Sequence, residues 1–328
     1  MPRRSRPVPS NRLTVETCSP SCRRRVGVSA DVTSGSEVVH GYPHLATVRS
    51  AITALHKRLS YDGVHSYAPS VLPADVAFCD QDDLHLGAQR VARALVHHLR
   101  LPDARVIVSF REMEHAASVE LTAGPEYFVE LNDRFRTHRC DIGAALAHEI
   151  THVLLHRLGL AFAGIRDNEI LTDTVTTYLG AGWLLLDAFR EDGVSSQKLG
   201  YLTPEEFGYV LAKRAIAFGE DPSPWFTSAQ AYTAYTQGLA QARRDEQQPP
   251  LTAAGWAGRR RYARQRRHAQ EHGGRADPGS PYAFEGGGRD ALRVSFPCPT
   301  CRQRIRIPVR GRVRARCALC RTVFECDT

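Results

Sequence analysis

The sequence predicts an α+β chain in which helices flank a small mixed sheet, followed by a separate, small β module. Three observations carry that expectation. The hydrophobic period is helical from His44 to Leu59 and, after a Gly/Ser/Pro-containing loop through about Pro73, again from about Asp83 to Leu99; it turns to two between Arg105 and Leu131, and helical runs resume from Asp141 to about Arg243. Within the second helical run stands His148-Glu149-Ile150-Thr151-His152, an H-E-x-x-H pattern. Near the end stand Cys298-Pro299-Thr300-Cys301 and Cys317-Ala318-Leu319-Cys320, two C-x-x-C pairs separated by fifteen residues.

Composition narrows the function classes. The 328 residues suffice for one sizeable core plus a small module, and 42% of them are hydrophobic, as in ordinary soluble proteins. The net charge is +8, and the excess is arginine, unevenly spread. Arg3, Arg4 and Arg6 have no apolar run behind them, so the start is a poor secretory signal. No apolar stretch approaches the ~18 residues of a membrane span; Leu179–Phe189 is too short. A soluble, cytoplasmic protein is expected. Nine cysteines, an odd number, with four of them in paired spacing, favour metal binding in a reducing compartment over a disulfide framework. Cys18-x-x-x-Cys22 has no partner pair nearby and is expected to be a chance spacing. The expected division is a disordered basic N-terminus (1–40), a main domain (41–244), a basic Gly/Pro-containing linker (245–292) and a terminal module (293–328).

The elements follow in order. Leu45, Val48, Ile52, Leu55 and Leu59 form an amphipathic stripe, and a second helix is expected from about Asp83 to Leu99. Arg105–Phe110, Ala116–Thr122 and Pro125–Leu131 read as strands, the last two punctuated by Gly124-Pro125. Asp141 is the expected N-cap of the H-E-x-x-H helix, and Gly159 stands where that helix would stop. Thr203-Pro204-Glu205-Glu206 reads as another helix start, with a run to about Phe218, and a further helix is expected from about Trp225.

The chemistry begins at His148 and His152. Four residues apart on a helix, both imidazoles project from one face and can bind one Zn²⁺, with Glu149 placed to hold a water. The third ligand decides the class. Metzincins place Gly three residues and His six residues after the second His; here those positions are Leu155 and Leu158. His156 would extend the pattern, but i to i+8 spans about 12 Å on a straight helix, too far for one tetrahedral ion. It is expected to be solvated or to sit beside a ligand. Glu169 and Asp173, one helical turn apart in a second helical run, supply an acidic ligand and a carboxylate free to hydrogen-bond a ligand imidazole.

His148-Glu149-x-x-His152 followed by Asn168-Glu169-x-x-x-Asp173 resembles the gluzincin arrangement of thermolysin-like metallopeptidases. The match is close over about 35 residues, and a looser likeness to the zincin fold covers residues 85–220. The resemblance implies a zincin-like domain, with His148, His152 and Glu169 as ligands of a catalytic zinc. Glu149 would be the general base, and Asp173 would orient a ligand. It implies a hydrolase whose substrate is a peptide or protein. It also implies a cleft-side edge strand that pairs with extended substrate, for which Tyr127–Leu131 is the candidate; an ordinary sheet strand is the alternative. No residue matches the family's downstream His or Tyr, although Tyr178, Tyr201 and Tyr209 fall in the right half of the chain.

Cys298, Cys301, Cys317 and Cys320 have the spacing of a zinc ribbon, so a second, structural Zn²⁺ is expected. Cys326 lies outside the spacing, as a spare thiol. Between the pairs, Arg304 and Arg306 alternate with Ile305 and Ile307, and Arg312, Arg314 and Arg316 alternate with Val313. A two-stranded hairpin turning near Arg310-Gly311 would put these arginines on one side, a face for nucleic acid, an acidic protein or water alone. Arg259–Arg267 in the expected tether can grip phosphates or stay solvated. The competing function is a nucleic-acid-associated regulator of the ImmA/IrrE or SprT-like kind, whose zincin domain is degenerate or serves one partner. SprT-type proteins use a third His that this chain lacks at a matching place.

Overall fold

The computed structural model describes residues 38–78, 81–122, 124–192, 196–274, 279–286 and 292–328. Residues 1–37, with Cys18 and Cys22, lie outside these, as does Cys79. Helix α1 (Leu45–His65) buries Val48, Ala51, Ile52 and Leu55, the stripe its spacing predicts. A short turn of helix, α2 (Pro73–Val76), leads to α3 (Leu84–His98). The Asp83 side chain caps α3 by accepting from the Leu86 N–H at 2.9 Å.

Three strands follow: β1 (Arg105–Arg111), β2 (Ala117–Val119) and β3 (Glu126–Asn132). Their order is β1-β3-β2. β3 runs parallel to β1, with Val106 opposite Tyr127, and antiparallel to β2, with Ala117 opposite Leu131. The expectation that Tyr127–Leu131 forms the edge strand is therefore overturned. Both sides of β3 are already paired, so no free row of N–H and C=O groups remains on it. The edge that approaches the metal-site helix is β2. Tyr127, Val129 and Leu131 turn into the core while Phe128 stays 41% exposed, the period-two pattern of a sheet covered on one face.

Helix α4 (Ile142–Leu158) carries the H-E-x-x-H pattern and ends at Gly159, whose φ of 59° is left-handed. Asp141 makes no capping hydrogen bond at its start. Its buried carboxylate instead accepts from Arg190 at 2.9–3.0 Å and from Gln197 Nε2 at 2.7 Å; the bonds from Arg190 are charge-assisted and stronger than one from a backbone N–H. Helix α5 (Ile165–Tyr178) and α6 (Gly182–Asp187) complete the core around α4. A two-residue pairing, β4 (Arg190–Glu191) with β5 (Ser196–Gln197), precedes α7 (Pro204–Phe218). Thr203 caps α7 at the predicted helix start, and Glu206 returns the bond to the Thr203 N–H, a reciprocal cap. Helix α8 (Ala229–Glu246) packs backbone to backbone on α7: a Cβ at Gly208 would stand 2.2 Å from the Ala234 carbonyl oxygen.

Beyond α8, the segment expected as a linker holds α9 (Trp256–His272) and β6 (Ala283–Glu285). Tyr262 and Ala269 of α9 are buried in a second hydrophobic cluster with Tyr282 and Phe284. The remaining strands are β7 (Arg293–Pro297), β8 (Arg304–Pro308), β9 (Arg312–Arg316) and β10 (Val323–Asp327). β6-β7-β8 make one sheet and β9-β10 another. The expected hairpin of β8 with β9 is thus replaced by two others, β7 with β8 and β9 with β10. Each C-x-x-C turn closes its own hairpin, so Arg304 and Arg306 belong to one sheet and Arg312, Arg314 and Arg316 to the other. All five are exposed.

The ribbon touches the helical core. Thr53 Oγ1 of α1 donates to the Cys301 carbonyl at 2.7 Å, and Lys213 Nζ of α7 donates to the Pro299 carbonyl. Beside them the fully buried Asp245 carboxylate meets Arg49 at 2.6 Å, Arg302 at 3.0 Å, Lys213 at 3.3 Å and the Tyr209 hydroxyl at 2.7 Å. Among the described residues no helix is long and apolar enough to cross a membrane.

Candidate metal centres

Two clusters of metal-ligating side chains form among the described residues: His148, His152 and Glu169, and Cys298, Cys301, Cys317 and Cys320. In the first, α4 presents both imidazoles toward α5, which supplies Glu169. His148 Nε2 lies 3.1 Å from His152 Nε2 and 3.1 Å from Glu169 Oε2, and His152 Nε2 lies 3.3 Å from the same oxygen. Ligands about 2.0–2.1 Å from a tetrahedral zinc stand roughly 3.3 Å apart. The three atoms therefore fit one face of a zinc tetrahedron, with the fourth corner left for water or substrate. The geometry matches the three-protein-ligand zinc site of a metallopeptidase, with Glu169 as the distal ligand.

The surroundings fix the ring orientations. His148 Nδ1 is 2.8 Å from Asp173 Oδ1, which directs the other ring nitrogen at the metal position. Asp173 is wholly buried, and its second oxygen accepts the backbone N–H groups of Tyr201 and Leu202. Gly200 makes this possible: its φ is +84°, and a Cβ there would lie 2.7 Å from the carboxylate oxygens. His152 Nδ1 is 3.3 Å from Thr172 Oγ1, whose own proton goes to the Asn168 carbonyl at 3.0 Å. That hydroxyl can accept from His152, leaving Nε2 to ligate. Thr172, Gly200 and the two backbone donors escaped the sequence reading. Thr172 had a usable signal, since it sits three residues after Glu169 on the ligand-bearing helix. The loop donors had none.

The electrostatics suit a cation. Burial opposes charge on His148, but the hydrogen bond and charge of Asp173, joined by Glu169, hold its pKa well above the ordinary value. Burial also opposes the Glu169 carboxylate, yet its hydrogen bonds to His148 and His152 bring it down to about 2. The metal-free site thus keeps a proton on histidine beside an ionised glutamate. Zinc must displace that proton, so loading strengthens as pH rises through the range where His148 gives it up. Calorimetric titration in buffers of different ionisation enthalpy should register the released proton; identical heats in all buffers would contradict this. Glu149 is 7% exposed, and burial raises its carboxyl above the usual range, opposed by the two imidazoles.

His156 is exposed and stands apart from the ligands, as its spacing requires. Tyr178 and Tyr209 are committed elsewhere, Tyr178 to His56 at 3.1 Å and Tyr209 to Asp245. Tyr201 differs: it is 48% exposed, and its phenol is raised first by burial and then by the charges of Glu169, Asp173 and Glu149.

In the second cluster, Cys298 and Cys320 sulfurs are 3.5 Å apart and Cys301 and Cys317 sulfurs 3.6 Å apart, all four residues buried. These separations far exceed a ~2.05 Å disulfide and approach the roughly 3.8 Å between thiolates on a tetrahedral zinc. The two turns repeat one geometry. Arg302 and Arg321, each following the second cysteine of its pair, have φ of 64° and 58°. Each of their N–H groups returns to the carbonyl of the first cysteine, at 2.9 and 3.0 Å. Cys326 is 1% exposed in the ribbon core, outside the ligand set.

No protein-family model, curated protein or solved structure matches this chain. The chemistry of both centres follows from their own geometry. Replacing Glu169 by Ala should abolish zinc at the first centre and keep it at the second, giving one ion per chain by elemental analysis. Asp173→Ala should weaken the first centre by about 10–100-fold. Wild-type zinc affinity in Glu169→Ala would remove Glu169 from the ligand set.

Proposed function

We propose that the chain hydrolyses peptide bonds, with residues 41–244 as the catalytic portion, in a reducing, cytoplasmic setting that keeps its cysteines from pairing as disulfides. The observation that carries this reading is the tight triangle of His148, His152 and Glu169 donor atoms with the buried Glu149 carboxyl next to it in α4. A zinc ion held by that triangle supplies Lewis acidity toward a water molecule and a substrate carbonyl. Glu149 takes the water's proton and passes it to the leaving amine, and its raised pKa brings it nearer the pH at which both transfers run. Asp173 and Thr172 hold the two imidazoles with Nε2 forward. Tyr201 is the proposed donor to the developing oxyanion, since it is the exposed tyrosine that feels the site's carboxylates. Extended substrate is proposed to pair along the free side of β2, the strand that α4 approaches.

The ribbon (residues 293–328) and its arginines serve as the partner-binding portion, and the zinc of its four cysteines is structural. The second reading, a single-partner regulator with a zincin domain, is favoured by the concentration of positive charge in that portion. Incubating zinc-loaded protein with a peptide library, beside Glu149→Gln as control, separates the two. Cleavage by the wild type alone supports the peptidase. Intact peptides throughout would leave the regulator.

A further inference from the structure

Residues 256–328 contain seventeen arginines, no lysine and six acidic residues, a net charge of +11 in a chain whose total is +8. The rest of the chain is therefore net acidic, and the entire positive excess lies in α9 and the ribbon. The structure shows how α9 displays its share. Tyr262 and Ala269, seven residues apart, bury one face of the helix against Tyr282 and Phe284. Arg260, Arg264 and Arg267 recur at i, i+4 and i+7, which places them together on the opposite side, and all three are exposed. They form a straight basic row about 10 Å long on a helix that packing holds in place. Arg306 and Arg314 of the ribbon are ion-paired to Glu285 at 2.9 Å and Glu325 at 3.6 Å, partly exposed pairs of small worth that a phosphate can displace.

We propose that the exposed face of α9 binds the phosphate backbone of double-stranded nucleic acid. Charge complementarity and the lack of apolar anchors choose this partner. A protein interface needs a desolvated centre built on large apolar side chains. On α9 and the ribbon the exposed large hydrophobics are Trp256, beneath the Arg260 guanidinium, and Val323. Backbone binding needs only spaced cations, and duplex DNA presents a charge about every 1.7 Å along its axis. A single aromatic at the head of the helix gives no succession of stacking platforms for an unpaired strand. Arg266, on the flank of α9, is held by the Thr328 carbonyl at 2.7 Å and belongs to the packing rather than the row.

The test uses the full chain loaded with zinc and a short fluorescein-labelled DNA duplex, followed by anisotropy over a range of salt concentrations. Binding should weaken steeply with salt. The triple variant Arg260→Gln, Arg264→Gln, Arg267→Gln should lower the slope of log affinity against log salt by about 2–3. Lysine at the same three positions should restore it. Far-UV circular dichroism and zinc content check that the variants are folded. Glu149→Gln should bind DNA as the wild type does, so loss of peptidase activity and loss of DNA binding are read separately. Three results would overturn the proposal: no duplex binding at low salt, an unchanged slope in the folded triple variant, or polyglutamate or single-stranded DNA bound more tightly than the duplex.

Discussion

Glu149→Gln should retain two zinc ions per chain and lose hydrolysis by about 10²–10⁴-fold, the usual worth of a positioned general base. The substitution keeps volume and shape at a position only 7% exposed, and it touches none of the three ligand atoms. It removes only the ability to take up and release a proton. Because burial disfavours the native carboxylate, the neutral amide should not lower the melting temperature, which distinguishes a chemical loss from a folding defect. Parallel measurement of kcat/KM, zinc content and thermal unfolding checks all three. Retained hydrolysis would assign the base elsewhere, and lost zinc would mean that Glu149 supports the ligands.

The second large effect is structural. Cys301→Ser should reduce zinc from two ions to one and unfold the ribbon. The ribbon's apolar core is small, and structural zinc contributes an apparent ~10–16 kcal/mol in such modules. The consequence should reach the catalytic portion. Unfolding the 298–301 turn removes the Cys301 carbonyl from Thr53 and the Pro299 carbonyl from Lys213, and takes Arg302 from the buried Asp245. Asp245 keeps Arg49 and Lys213, so the loss falls on the hydrogen bonds and packing that the turn supplied to the core. Calorimetry should therefore show the helical core melting at lower temperature in Cys301→Ser than in the wild type. An unshifted core transition would mean that the ribbon contacts add nothing to its stability.

The catalytic centre was legible because its information is local. His148 with His152, and Glu169 with Asp173, are i, i+4 pairs, and a helix converts such spacing into a shared face without reference to the rest of the chain. The same holds for the Thr203–Glu206 cap and for the Gly159 stop. What escaped was settled by distant partners. Strand β3 reads as a half-buried strand either at an edge or at a centre, and only its pairing with both β1 and β2 places it. Asp141 looks like a cap until Arg190, 49 residues later, claims its carboxylate. Helix α9 offers Tyr262 and Ala269 among many arginines, too few apolar positions for a period to show. The ribbon strands alternate as expected, but alternation does not say which strand pairs with which.

The cluster around Asp245 has a charge-balance consequence. Arg49, Lys213 and Arg302 set against one carboxylate leave an excess of two positive charges in a largely buried region. Four thiolates around a divalent ion carry two negative charges; burial lowers the pKa of both Lys213 and Arg302, and the charges of Asp245 and of Cys298 oppose that shift. When the ribbon holds its metal, those two negative charges stand against the cationic excess. With the thiols protonated and the metal gone, two cationic charges stand uncompensated. Metal affinity at the four cysteines and cohesion of the two halves are then one linked equilibrium: whatever strengthens one strengthens the other by the same free energy. The stability of the helical core is in this way tied to the occupancy of a site that lies outside the His148, His152 and Glu169 cluster.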